Sequence, residues 1–104
     1  MALNVNDMLS RGWKRYYATA SGNAVLPANT RIMAILLGCG STTSSVIVDN
    51  AAVAGGTDRI ALTGLLAGES PFVTFGINGT LFNVGVSTTL AGTGATVNIF
   101  YLDE

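Results

Sequence analysis

The sequence predicts an all-β protein, a small antiparallel β-sandwich or jelly-roll-like barrel of about seven short strands. Three observations carry this. Runs rich in Val, Ile, Thr and Phe recur through residues 25–102, at about the 8–12-residue spacing of sandwiches and barrels. Gly, Asn, Asp, Ser and Pro punctuate those runs. No segment with helical periodicity lies between them, which disfavours a parallel βαβ design. The 104 residues make one domain. A chain of this length buries about 65% of its unfolded surface, enough for a core without disulfide or metal staples.

Residues 1–24 differ from the rest, and the expected organisation is an N-terminal arm or short helix with a connector over 1–24, then a β-sandwich domain over 25–104. Asn6 or Asp7 would cap the helix, with Met8, Leu9, Trp13 and Tyr16 or Tyr17 on one face. Gly12 weakens that pattern, and an extended arm fits equally. Residues 18–23 are small and polar, a connector with a Ser21-Gly22 turn signal.

The strands follow in order. Residues 25–30 end in turn residues, and Pro27, which lacks an amide hydrogen, belongs at a strand end or a sheet edge. Residues 31–37 form a nearly continuous apolar run, expected to be a strand buried on both faces before Gly38-Cys39-Gly40 stops it. Residues 44–49 give a short strand around Val46, Ile47 and Val48. Over 59–63, Ile60 and Leu62 alternate with polar or small residues. Residues 72–75 and 80–82 are short strands around an Asn78-Gly79 turn. Runs 84–90 and 96–102 flank Ala91-Gly92-Thr93-Gly94-Ala95. In the second run Val97, Ile99 and Tyr101 alternate with Thr96, Asn98 and Phe100, a period of two. A short Gly-containing loop between such runs predicts a β-hairpin.

Composition narrows function. Charged residues are 11% of the chain, against about 25% in an ordinary globular protein. A surface with so little charge resists association weakly and favours a protein that works assembled; a monomer with a Thr/Ser-rich surface is the alternative. The net charge of −1 gives no global field to attract nucleic acid. With no histidine, the commonest general base and metal ligand are missing. A serine nucleophile would need Lys14, the only lysine, or a carboxylate as its base. Asp58 and Glu69 lie in loops with nothing to set their spacing, so solvated charges are expected there. The Gly-rich stretches match neither a P-loop nor a GxGxxG turn, and Asp49, Asn50 and Asp58 lack EF-hand spacing. The expectation is no enzyme activity, no cofactor and no metal. Cys39 follows an apolar run and is expected to be a buried, inert thiol; a lone cysteine implies no oxidising compartment. No run reaches the ~20 apolar residues of a membrane helix, and the N-terminus lacks the apolar core of a signal peptide, so synthesis and folding in a cytoplasm are expected.

One cluster invites a functional reading. Arg11, Trp13, Lys14, Arg15, Tyr16 and Tyr17 interleave cations with aromatics. Trp, Tyr and Arg anchor protein interfaces. The same types also stack on bases and neutralise phosphates, although three cations are few for that task. The alternative is an amphipathic lid whose rings cover one end of the sandwich.

Residues 72–77 (FVTFGI), 81–86 (LFNVGV) and 90–101 (LAGTGATVNIFY), with Pro27 through Arg31 and Val46 through Asp49 upstream, resemble a group of small tailed-bacteriophage virion structural proteins. The resemblance covers about residues 25–102; residues 1–23 match least. It implies a β-sandwich that decorates or cements the capsid, binding between capsomers as a symmetric homo-oligomer such as a trimer. It further implies the major capsid protein or other virion proteins as partners and the capsid surface as the location, after synthesis in the bacterial host cytoplasm. On this view Arg11–Tyr17 is the candidate protein-binding anchor. The competing expectation is a receptor- or carbohydrate-binding module of a head fibre or tail.

Overall fold

The computed structural model describes residues 12–55, 58–76 and 78–103. These form nine strands and no helix: β1 (Lys14–Ala18), β2 (Gly22–Leu26), β3 (Thr30–Gly38), β4 (Ser44–Asn50), β5 (Arg59–Gly64), β6 (Phe72–Thr74), β7 (Thr80–Phe82), β8 (Val86–Ala91) and β9 (Thr96–Asp103). Every pairing is antiparallel. One sheet has the order β1-β9-β3-β6, with β7 also on β3; the other has the order β2-β8-β4-β5.

The two sheets enclose one core, as in a β-sandwich. Ile32, Ile35, Val97 and Ile99 from the first sheet meet Leu26, Val46, Val48 and Val86 from the second. Strict alternation would put Ile32 and Ile35 on opposite faces. A register shift between Ile32 and Ala34 inserts one extra residue against the consecutive pair Tyr101 and Phe100. This β-bulge lets both isoleucines face inward. β3 is also buried on its other side, where Ala34 joins Phe100, so the expectation of a strand covered on both faces holds.

Three expectations are corrected. The described part of the N-terminal segment is neither an arm nor a helix. Lys14–Ala18 pairs with β9, and Gly22–Leu26 pairs with β8. Tyr16 and Ala18 pack into the core, and that tertiary burial outweighs a local helical pattern already weakened by Gly12. The proposed helix residues Asn6, Asp7, Met8 and Leu9 lie outside the described residues. The strand number among the described residues is nine rather than seven, because 14–26 supplies two strands. β6 and β7 run collinearly along β3, at Ala34–Leu36 and Thr30–Ile32 respectively, as one interrupted edge.

The third correction concerns the expected hairpin at 84–102. β8 and β9 belong to different sheets and do not pair with each other. Residues 92–95 form an arch from one sheet to the other. The loop carries the same residues either way; what pulls the runs apart is that each already has two partners, β2 and β4 for β8, β1 and β3 for β9.

Three further connections cross between the sheets at the same end: β1 to β2, β3 to β4 and β5 to β6. They are stitched together. Ser41 N–H donates to the Thr93 carbonyl (3.1 Å), Gly68 N–H to Gly40 (3.2 Å) and Cys39 N–H to Glu69 (2.9 Å). Leu90 N–H donates to Ser21 Oγ at 2.9 Å. The arches approach so closely that a Cβ on residue 40 would run into the Thr93 carbonyl oxygen and the Gly94 backbone.

Candidate functional site

β1 divides the basic-aromatic cluster between two faces. Tyr16 points inward and packs on the core. Lys14 shares that parity at the strand's outer end and forms an ion pair with Asp103. The hydrogen bond to Asp103, and then its negative charge, raise the Lys14 pKa above its ordinary value. Arg15 and Tyr17 point the other way and are exposed, Tyr17 by 53%. Trp13 is half-buried against Ala34 and Phe100. Arg11 lies outside the described residues. The five described residues therefore do not form one patch: Arg15 and Tyr17 share an accessible face, Trp13 lies at its base, Tyr16 is structural and Lys14 is tied to the last strand.

The outer side of the β1-β9-β3-β6 sheet is unusually apolar. Phe100 sits opposite Arg15 on β1 and Ala34 on β3, points away from the main core, and is fully buried. Leu36 packs beside it. Phe72 opposite Leu36 and Leu81 opposite Arg31 extend this side to the β6–β7 edge, where both remain about two-fifths exposed, at 38% and 41%. Within β6 it is Val73 that takes the core side. On the other sheet the outward positions Ser45, Ala61, Thr63 and Thr89 are small or polar, around Ile47.

Asp58 and Glu69 stand at opposite ends of β5 and cannot act as a pair. Asp58 accepts a hydrogen bond from Asn50 Nδ2 (3.0 Å). Glu69 Oε1 accepts from Leu66 N–H (2.7 Å), closing its own turn. Asp49, buried under the β4–β5 connection, accepts from Gly55 N–H at 2.7 Å and lies 3.4 Å from Arg59 Nε. Among the described residues no three of His, Cys, Asp or Glu come together as a metal-binding group. No helix among them is long and apolar enough to cross a membrane. Cys39 is half-buried beside the core rather than fully enclosed.

Neither the pairing of Arg15 with Tyr17 nor the outward burial of Phe100 was visible in the sequence. The alternation within 96–102 did place Phe100 opposite Ile99, which was the available signal. Comparison with family models, curated proteins and solved structures found no match for this chain.

Proposed function

We propose that the protein is a non-enzymatic structural component of a tailed-phage virion, a capsid decoration protein that binds between capsomers as a symmetric oligomer. The observation that carries this reading is the exposed Arg15–Tyr17 pair on an edge strand whose opposite face is held in the core. Tyrosine and arginine present large contact area, and on a rigid strand only their side-chain rotamers remain to be ordered. Two further features support it. The sheet orders β1-β9-β3-β6 and β2-β8-β4-β5, with four crossings at one end, are the double Greek key of a jelly roll, an architecture used by capsid proteins and lectins. The low charge suits permanent burial in an assembly.

The test is co-sedimentation with phage capsids from which decoration proteins have been stripped. Wild type is expected to bind, and Arg15→Ala with Tyr17→Ala to weaken binding by about tenfold or more. No binding by the folded wild type would overturn the reading. Specific glycan binding abolished by Tyr17→Ala would replace it with the carbohydrate-binding alternative.

A further inference from the structure

We propose that two copies of this chain join through the open edge of β5, antiparallel about a two-fold axis at Ala61, so that the β2-β8-β4-β5 sheet continues into the second copy. The inference stands on the geometry of that edge, goes beyond the capsid reading and names the surface through which copies meet.

A sheet edge is a template for another strand, and proteins that stay monomeric blunt their edges. Among the described residues the other sheet edges are blunted. β1 carries Lys14 and Arg15. β2 is irregular: its register with β8 shifts between Gly22 and Leu26, Ala24 sits at φ +48°, and Pro27 follows. β6 and β7 are short and interrupted, with Pro71 just before β6. β5 has none of these devices. Residues 59–64 pair with β4 one to one without a bulge and include no proline. The one charged residue, Arg59, starts the strand, and its Nε lies 3.4 Å from the buried Asp49 carboxylate on β4.

The occupant follows from register. Asn50 N–H donates to the Asp58 carbonyl at 2.8 Å. With Asp49 opposite Arg59, this makes Ile60 and Leu62 the residues whose main-chain groups face β4, and turns those of Ala61 and Thr63 toward the open edge. The side chains keep the same parity: Ile60 and Leu62 pack on the core, half-buried, while Ala61 and Thr63 point outward and are exposed. A joining strand must match both parities. β5 of a second copy does so over residues 59–63 when Ala61 meets its own counterpart. Ala61 then exchanges two N–H···O=C bonds with that counterpart, and Thr63 falls opposite Arg59. Ile60 falls opposite Leu62 in a non-hydrogen-bonded pair, where Cα atoms approach to about 4.5 Å. These apolar pairs carry the core across the axis on the side where Ile60, Leu62 and, on β6, Val73 remain half-buried. The two copies of Arg59 stay apart by about 14 Å along the ladder, beyond the ~8 Å screening length of physiological salt. The small outward side chains of Ala61 and Thr63 leave the approach of the second backbone open. Such a contact is the same patch on both copies and closes as a dimer.

Sedimentation velocity of the full chain over a concentration series tests this. Wild type is expected to dimerise. Ala61→Pro removes an N–H that points away from β4, so the β4–β5 ladder survives while dimerisation weakens at least about tenfold. Charge reads the register. Thr63→Lys sets a cation against Arg59 of the second copy and is expected to weaken the dimer; Thr63→Glu sets the opposite charge there and is expected to preserve or strengthen it. Far-UV circular dichroism checks that each variant is folded. Mild oxidation of Ala61→Cys in a Cys39→Ser background is expected to trap a covalent dimer, because Cα atoms of a hydrogen-bonded pair lie about 5.5 Å apart, within disulfide reach. Thr89→Cys, on the outer face but away from the edge, is the negative control. A wild type that stays monomeric, a dimer indifferent to Ala61→Pro, or equal losses from Thr63→Lys and Thr63→Glu overturns the proposal. Amide exchange at Ala61 and Thr63 that slows in a monomeric wild type only on stripped capsids would give the edge to a capsid protein and also overturn it. A monomer that binds capsids through other residues sinks this inference alone; a dimer that does not bind them sinks the decoration reading alone.

Discussion

The main-chain N–H of Ser41 donates to the carbonyl oxygen of Thr93 at 3.1 Å. This bond joins the β3–β4 arch to the β8–β9 arch, and Thr93 N–H answers with a bond to Thr42 Oγ1 at 3.2 Å. Because the two connections cross side by side, β3 can pair with β9 in one sheet while β4 pairs with β8 in the other.

That close approach makes Gly40 sensitive to any side chain. A Cβ there meets main-chain atoms of Thr93 and Gly94, which cannot swing aside as a flexible side chain would. Gly40→Ala is expected to destabilise by about 1–3 kcal/mol. Gly68 is the contrasting position: its φ is +80° but a Cβ there meets nothing within 4 Å. Gly68→Ala should show only the left-handed backbone penalty of about 1–2 kcal/mol. Urea unfolding of both variants measures the two losses.

Phe100 should behave as a core residue although it points away from the main core. Phe100→Ala is expected to destabilise by about 3–5 kcal/mol. Phe72→Ala, at a position 38% exposed, should have a clearly smaller effect. Trp13 is the only tryptophan and packs on the Phe100 cluster. Its fluorescence is therefore expected to shift to longer wavelength in folded Phe100→Ala.

The Lys14–Asp103 pair has a defined pH signature. Asp103 raises the folded-state pKa of Lys14 above the ordinary value of 10.5. The contribution of the pair is therefore fully present below the unfolded-state pKa and disappears as pH rises through the raised folded-state value. Both side chains are more than half exposed, so the effect on stability is small. Titration of the Lys14 side chain by NMR should show an elevated midpoint that falls in Asp103→Asn. An unchanged midpoint would refute the pairing.

Asp49 links β4 to the connection that follows it. Its buried carboxylate accepts from Gly55 N–H and faces Arg59. Asp49→Ala leaves the Gly55 donor without this acceptor and is expected to destabilise by about 1–3 kcal/mol. Hydrogen exchange at Gly55 should accelerate in Asp49→Ala and remain close to wild type in Asp49→Asn, which keeps an acceptor oxygen there.

The strands were legible where local chemistry alone dictates them. Alternation in 96–102, the apolar run over 31–37 and the Asn78-Gly79 turn each specify backbone conformation within a few residues. The sheet assignment was not legible, because Ala91-Gly92-Thr93-Gly94-Ala95 can close a hairpin or span two sheets. That choice rests on which distant strands occupy the edges of β8 and β9. The first strand was hidden for a related reason: Met8, Leu9, Trp13 and Tyr16 share a helical spacing, while the backbone of 14–18 takes its hydrogen-bond partners from 97–101. The cluster Arg11, Trp13, Lys14, Arg15, Tyr16 and Tyr17 was found by composition, but only pairing with β9 separates its inward residues from its outward ones.

The sequence by itself determined a β-rich chain with little charge, no histidine, one cysteine and Gly-rich connections, since these follow from residue chemistry and short-range periodicity. The tertiary structure decided the two sheet orders, the four neighbouring arches, the burial of Phe100 on an outer face and the exposure of Leu65 and Leu66. These depend on contacts between residues far apart in the chain, such as Ser41 with Thr93, and no local pattern encodes which distant backbone will supply the missing hydrogen bond.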